Sequence, residues 1–277
     1  MKKLFCIFLI IFIFISLPSL AIGQENLIYI KENGTIEGTD KIQRDGAIYT
    51  LTKAILGKRV IVEKSSITID GNGALLGNYN GFEGVITLNN VKNVVIKNCL
   101  IKNCVYGIEL NSSSDITILG NKISEADMSM FWPAAAIHIM YETSNINLIG
   151  NDITNNKWGI IHCIEESPNL VIHHNNFVEN YEKDVSILLE FSATWDDGKE
   201  GNYWSKYNGA DSNGDGIGDT PYSIDDNNQD NYPLMQPVET QAIPEFSSLI
   251  FVLLLLFPAI FGIIIRIRLK GRINEEN

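Results

Sequence analysis

The chain has 277 residues, 45% hydrophobic and 19% charged, with 21 Lys and Arg against 33 Asp and Glu. A net charge of -12 disfavours nucleic acid and anionic membrane surfaces as partners and makes divalent cations the natural ones. Of the four cysteines, Cys6 falls in the N-terminal segment described next, and the odd set Cys99, Cys104 and Cys163 argues against a disulfide framework.

Residues 1–23 read as a secretory signal. Lys2 and Lys3 precede an apolar run from Leu4 to Ile15, and Pro18, Ser19 and Ala21 offer small residues for cleavage. Residues 24–66 read as an N-terminal cap and leading turn, with strand-like pieces at Leu27 to Ile30, Ala47 to Leu51 and Val60 to Val62. A cap is required because an open parallel edge invites pairing with other chains.

Residues 67–191 say nearly the same thing five times: ITIDGN at Ile67, VVIKNC at Val94, ITILGN at Ile116, INLIGN at Ile146 and LVIHHN at Leu170. The copies start 27, 22, 30 and 24 residues apart, a period that marks a solenoid whose units bury their apolar faces only by stacking. Alternation within each copy puts Ile67 and Ile69, Val94 and Ile96, Ile116 and Ile118, Ile146 and Leu148, and Leu170 and Ile172 on one side of a strand. Two further apolar runs follow in each copy, giving three short strands per turn, with Gly and Asn at corners that take left-handed backbone angles. Asn72, Asn121, Asn151 and Asn175 are expected in register as an amide ladder, with Cys99 in place of Asn in the second copy. The fold class is all-β, a right-handed parallel β-helix. Within it Cys99 and Cys104 either pair across a corner or sit as buried free thiols.

The third copy carries an insertion, Ser124 to Pro133, that includes Met128, Met130, Phe131 and Trp132. Insertions in solenoids go to loops that often carry binding. Phe131 and Trp132 are therefore candidate carbohydrate-stacking residues, the alternative being a loop folded back over the coil.

Residues 192–236 read as a loop-rich acidic cap. Asp211, Asn213, Asp215 and Asp219 occupy positions 1, 3, 5 and 9 of a calcium loop, with the Ile217 carbonyl at position 7, and Gly214, Gly216 and Gly218 allow the turn. Position 12 is Tyr222 rather than Glu, so this is not an EF-hand, and a solvated acidic turn is the alternative. Trp195, Tyr203, Trp204, Tyr207 and Tyr222 suit a cover for the open end of a coil. Residues 237–246 read as a stalk, 247–266 as a single transmembrane helix and 267–277 as a basic cytoplasmic tail, since Arg266, Arg268, Lys270 and Arg272 follow the apolar run at once. The expected address is the cell surface, with the N-terminal domain outside.

Other chemistry is less specific. His138 and His162 each lie eight residues before the next copy's first strand and are expected to stack on adjacent rungs, whereas adjacent His173 and His174 are expected on opposite faces of a strand. Such a set fits either a metal or acid–base site or ordinary hydrogen-bonded histidines. The best charge cluster for a carbohydrate-active site is Asp70, Lys97, Glu109 and Asp184, but the first strand's corner reads Asp70, Lys97, Leu119, Ile149 and His173 along the stack, a mixed row whose charges read as solvated corners rather than a glycosidase pair. Asn33 and Asn111 head glycosylation triplets.

The ITILGN-type repeats, together with KIQRDGAIYT, IVEKSSITIDGNG, WDDG, GNYWS, DSNGDGIGDTPY and NYPLMQP, resemble the NosD-like, or CASH-type, right-handed β-helix proteins in the form found on archaeal cell surfaces. The resemblance covers essentially the whole mature chain, and Pro244-Glu-Phe246 resembles the sorting signals of such proteins. It implies the fold more firmly than the function. Three functions follow as expectations: a structural or glycan-binding surface protein with calcium as its cofactor and cell-surface glycans as partners; a polysaccharide lyase, hydrolase or epimerase; and a factor for copper-site maturation, the role of the family's namesake.

Overall fold

The structure, a computed structural model, describes residues 26–127, 133–163, 169–187 and 192–239. The signal, transmembrane and tail segments of the sequence reading, and Phe131 and Trp132, lie outside the described residues. Among the described residues no helix is long and apolar enough to cross a membrane.

The repeats wind into a parallel β-solenoid of the right-handed type with about 5 turns and three faces. The first face stacks Ile48–Leu51, Ile67–Asp70, Lys92–Lys97, Ser114–Leu119, Ser144–Ile149 and Leu170–His173, each parallel to the next. Leu75–Asn89 and Leu100–Asn111 are long enough to run through the second and third faces together. Later turns divide that length, with Lys122–Ala126, Asp152–Thr154 and Asn176–Val178 on the second face and Ala135–Met140, Trp158–His162 and Lys183–Ile187 on the third. The alternating residues named above point inward and are buried, while Thr68, Val95, Thr117, Asn147 and Val171 face outward. Each buried Ile or Leu contributes about 1.5–3 kcal/mol, and identical positions repeat at the strand spacing, so one apolar column supplies the next with its partner.

The corners show why Asn and Gly recur. One column of left-handed residues is Ser66, Asn93, Asp115, Asn145 and Asn169, and another is Asn78, Asn103, Glu125, Asn155 and Glu179. Asparagine tolerates this region better than most side chains.

Inside the first corner the amide ladder forms, with two changes from the expected register. The backbone N–H of Cys99 donates to Asn121 Oδ1 (2.9 Å), that of Asn121 to Asn151 Oδ1 (2.9 Å) and that of Asn151 to Asn175 Oδ1 (2.9 Å). Asn72 is exposed and outside the ladder, because the corner between Asp70 and Leu75 is two residues longer than its counterparts. At the other end Asn202 extends the ladder, accepting from Asn175 N–H (3.1 Å) and passing its own N–H to Asp230 Oδ2 (2.7 Å). A second internal ladder joins Ala126 N–H, Asn156 and Asn180, and Asn180 Nδ2 donates to Asp184 Oδ1 (3.0 Å). Each ladder therefore ends on a buried carboxylate. Cys99 and Cys104 are free and buried, and burial pushes both thiols up to about 12.

Antiparallel strands cover the first rung: Ile36–Glu37 pairs with Leu27–Ile30, and Ile42–Asp45 with Ile48–Leu51. At the other end strand pairing continues past the repeats. Thr194 bridges Val171, and Tyr203–Trp204 adds a parallel strand beside Asn176–Val178. Over that rung Phe177, Trp204 and Tyr222 stack in sequence, with ring centroids 4.4 and 4.5 Å apart, and Trp195 and Trp204 are buried. Their indole N–H groups donate to Asn228 Oδ1 and Asp230 Oδ2.

Candidate functional site

The strand Leu170–His173 ends the last copy on the first face, and His174 turns the corner with φ 57°. Its counterparts in the preceding turns are Asn98, Gly120 and Gly150, all left-handed. A strand sets neighbouring side chains on opposite faces, which is the arrangement expected for His173 and His174. The left-handed corner overrides it. The two rings meet edge to face with centroids 4.8 Å apart, and their Nδ1 atoms lie 2.6 Å from each other. Holding a histidine in this conformation costs roughly 1–2 kcal/mol that Gly or Asn would largely avoid.

The loop after the repeats completes the cluster. Trp195 is buried in the cap, and the turn that follows it, with Gly198 at φ 87°, brings Asp196 and Asp197 beside His173. Asp197 Oδ1 accepts the N–H groups of Glu200 (2.8 Å) and Lys199 (2.9 Å), which hold its carboxyl below the ordinary range. One ligand atom each from His173, His174 and Asp197 lie within 4.8 Å of one another. Glu200 Oε2 meets His174 Nε2 at 2.8 Å, and the backbone N–H of His174 donates to the Gly201 carbonyl (2.6 Å). A carboxylate at Nε2 favours the N–H there, which turns the lone pair of His174 Nδ1 toward His173. Burial, and then the charge of His174, lower the His173 pKa against the pull of Asp197 and Asp196. A neutral imidazole is the form that binds metal.

These residues suit a metal ion. Two nitrogens bound at about 2.0 Å and at a right angle, as in a square-planar copper(II) or nickel(II) site, stand roughly 2.8 Å apart, near the 2.6 Å between the Nδ1 atoms, whereas a tetrahedral ion would set them roughly 3.3 Å apart. Two imidazoles and a carboxylate are a donor set for copper(II), zinc or nickel. Sequence reasoning singled out both histidines but separated them, and it missed Asp197 and Glu200. The available signal was the acidic WDDG turn lying one repeat length beyond the histidines.

The remaining candidates fall elsewhere. His138 and His162 do not stack: His138 pairs with Ile161, and His162 with Ile139, so one points outward and the other into the coil. Burial lowers the His162 imidazole to about 4. Asp70, Lys97, Leu119, Ile149 and His173 do form one row, in which Asp70 and Lys97 make an ion pair (3.1 Å). In the acidic loop Asp211 accepts the N–H groups of Gly214 and Gly216, Asp215 that of Ile217, and Asp219 the N–H and hydroxyl of Ser212. Asn213 Oδ1 accepts from Asp215 N–H. Among the described residues, Asp211, Asp215 and Asp219 do not form a three-ligand group of the kind the histidines make. Asn33 and Thr35 are exposed, whereas Asn111 is half-buried and the Ser113 hydroxyl of its triplet lies inside the coil.

Together these features define a parallel β-solenoid with a histidine–carboxylate cluster where its last turn meets the cap. A model of the family described as "Periplasmic copper-binding protein (NosD)" matches residues 21–209. The chain belongs to the NosD family. It is similar to proteins described as "Probable ABC transporter binding protein NosD" from Stutzerimonas stutzeri, 32% identical over 128 residues, and from Pseudomonas aeruginosa, 29% identical over 128 residues. Both matches cover 44% of this chain, which spans only 29% of the length of each relative.

Proposed function

We propose that this chain is an extracytoplasmic copper-binding protein in which a rigid β-helix presents a copper site formed by His173, His174 and Asp197, with Glu200 orienting His174. The supporting observation is the convergence of three ligand atoms within 4.8 Å, reached through a left-handed histidine where neighbouring turns use Asn or Gly. The family's description supplies the metal. Copper(II) suits a nitrogen and oxygen donor set, and the ion would carry the redox chemistry, while the protein holds the ligands oriented. The residues act by position. Glu200 fixes one tautomer, Asp197 brings negative charge beside the imidazoles, and Trp195 anchors the loop carrying Asp197.

Titration of the full chain with copper(II), followed by electron paramagnetic resonance, tests the site. One equivalent with nitrogen coupling is expected, and His173→Ala and His174→Ala should each weaken binding at least tenfold. Unchanged binding in the double variant would refute the assignment.

The relatives' description makes a membrane transporter a reasonable class of partner, and residues 247–266 supply a membrane anchor in this reading. The acidic loop is proposed to take calcium and stiffen the cap; its oxygens are already ordered by its own amides, with Gly214 and Gly216 at positive φ. Glycan binding through Phe131 and Trp132 remains a reading of the sequence alone and stands behind the copper site.

A further inference from the structure

On the outward side of the third face, Thr87, Glu109, His138, Ile161 and Ser186 occupy successive rungs in register. An outward column should be wet, yet Glu109 and His138 are only 8% and 6% exposed. They sit beside a second apolar cluster, separate from the coil core, that contains Val105, Tyr106, Ala134, Ala135 and Ile161, with Trp158 and Cys163 packed against it. Tyr106 stacks on the His138 ring at 4.3 Å. Cys163 follows the strand Trp158–His162 and is half-buried; its Sγ lies 3.7 Å from His138 Nε2. On the other side of the ring, His138 Nδ1 has no hydrogen-bond partner and faces Glu109 Oε2 at 3.9 Å.

Thiol, imidazole and carboxylate thus lie in line on one buried patch. A neutral imidazole carries one N–H. If the Cys163 thiol donates to Nε2, the ring proton is at Nδ1, facing Glu109, and that tautomer also offers Nε2 to a metal. A carboxylate behind a metal-bound histidine is a recurring arrangement that fixes the ring and strengthens the ligand. The spacing suits a shared ion as well. At usual bond lengths of about 2.3 Å to sulfur and 2.0–2.1 Å to nitrogen, atoms 3.7 Å apart subtend roughly 115° at the ion, near the trigonal and tetrahedral angles.

We propose that Cys163 and His138 bind a thiophilic d¹⁰ cation, copper(I) or zinc(II), with Glu109 as the positioning residue behind His138. Binding replaces the thiol proton: the S–H bond breaks, a metal–sulfur bond forms and one proton leaves to solvent, with no change of oxidation state. This site is independent of the His173 cluster. It lies on a different face, and its thiolate selects a softer ion than two imidazoles and a carboxylate do. Cys99 and Cys104 do not compete, being fully buried with their thiols pushed up to about 12.

The test uses the full chain carrying Cys6→Ser, His173→Ala and His174→Ala, which leaves Cys163 as the accessible thiol and removes the other cluster. Cobalt(II), a spectroscopic stand-in for zinc, should give a sulfur-to-metal charge-transfer band at one equivalent. Cys163→Ser should abolish it, and His138→Gln and Glu109→Gln should each weaken binding about tenfold or more, with circular dichroism checking the fold. Copper(I) retained against a colorimetric chelator assigns the site to copper, and preferential zinc retention assigns it to zinc; either result supports it. No charge-transfer band in the parent chain, a band that survives Cys163→Ser, or unchanged affinity in both His138→Gln and Glu109→Gln would overturn it. Because the parent already lacks His173 and His174, failure here leaves the copper(II) assignment untouched, and the reverse holds.

Discussion

Replacing Asn151 with Ala should show how much of the coil's stability resides in its internal ladder. Asn151 is fully buried, and its side chain links three turns. Its Oδ1 accepts from the backbone N–H (2.9 Å) and the Nδ2 (3.0 Å) of Asn121, and its Nδ2 donates to the Ile118 carbonyl (2.8 Å) and Asn175 Oδ1 (2.9 Å). Alanine removes the partner of the Asn121 N–H and the side-chain donor to Ile118. Leaving a buried polar group unmatched costs about 1–3 kcal/mol, so two such groups and the small cavity amount to about 3–5 kcal/mol. Asn155→Ala is the control: Asn155 is an exposed left-handed corner in the same turn, and alanine there should cost only about 1–2 kcal/mol of backbone strain. Urea unfolding followed by circular dichroism would measure both. If the two variants lose the same stability within about 1 kcal/mol, the ladder does not carry the load assigned to it.

Three other outcomes follow from the same geometry. His174→Asn should raise the thermal midpoint, because Asn fits the left-handed corner as Asn98 does, while copper(II) binding weakens at least tenfold; a lower midpoint would show that His174 is there for stability. Burial tends to raise the Asp70 pKa, but the Asn72 amide, Asn98 and Lys97 outweigh it and hold the carboxyl below its ordinary value of 3.8. Its stabilising contribution is therefore present above that value and lost as pH falls through the folded-state value. Acid titration of wild type should show this loss, and Asp70→Asn should flatten that part of the curve. Removing calcium with a chelator should lower the melting temperature, and Asp211→Ala should abolish the difference; an unchanged melt with and without excess calcium rules out the proposed calcium loop.

The repeats were legible because solenoid packing is nearly one-dimensional. Each inward Ile or Val is dictated by its own strand and by the same position one turn away, so periodicity in the text became columns in space. Where a corner changed length the text misled. Asn72 matches the other ladder residues by motif, but two extra residues move it to the surface. Asn202 was hidden by the opposite problem: it continues the ladder from a segment whose strand is only two residues long, too short to show alternation. His138 and His162 share an offset from the next copy, yet their strands are registered one position apart, and in a strand one position is the difference between outside and inside.

The sequence by itself determined the coil, its apolar columns and the residue types at its corners, because those depend on local alternation and on a neighbour at a fixed repeat. Only the tertiary structure decided the sites. His174 reaches His173 through a backbone angle that alternation does not encode. Asp197 joins them from a loop beyond the last repeat, and Cys163 meets His138 across neighbouring rungs. Each depends on where a chain turns or how one rung is placed on another, and side-chain chemistry at a distance leaves no period in the text.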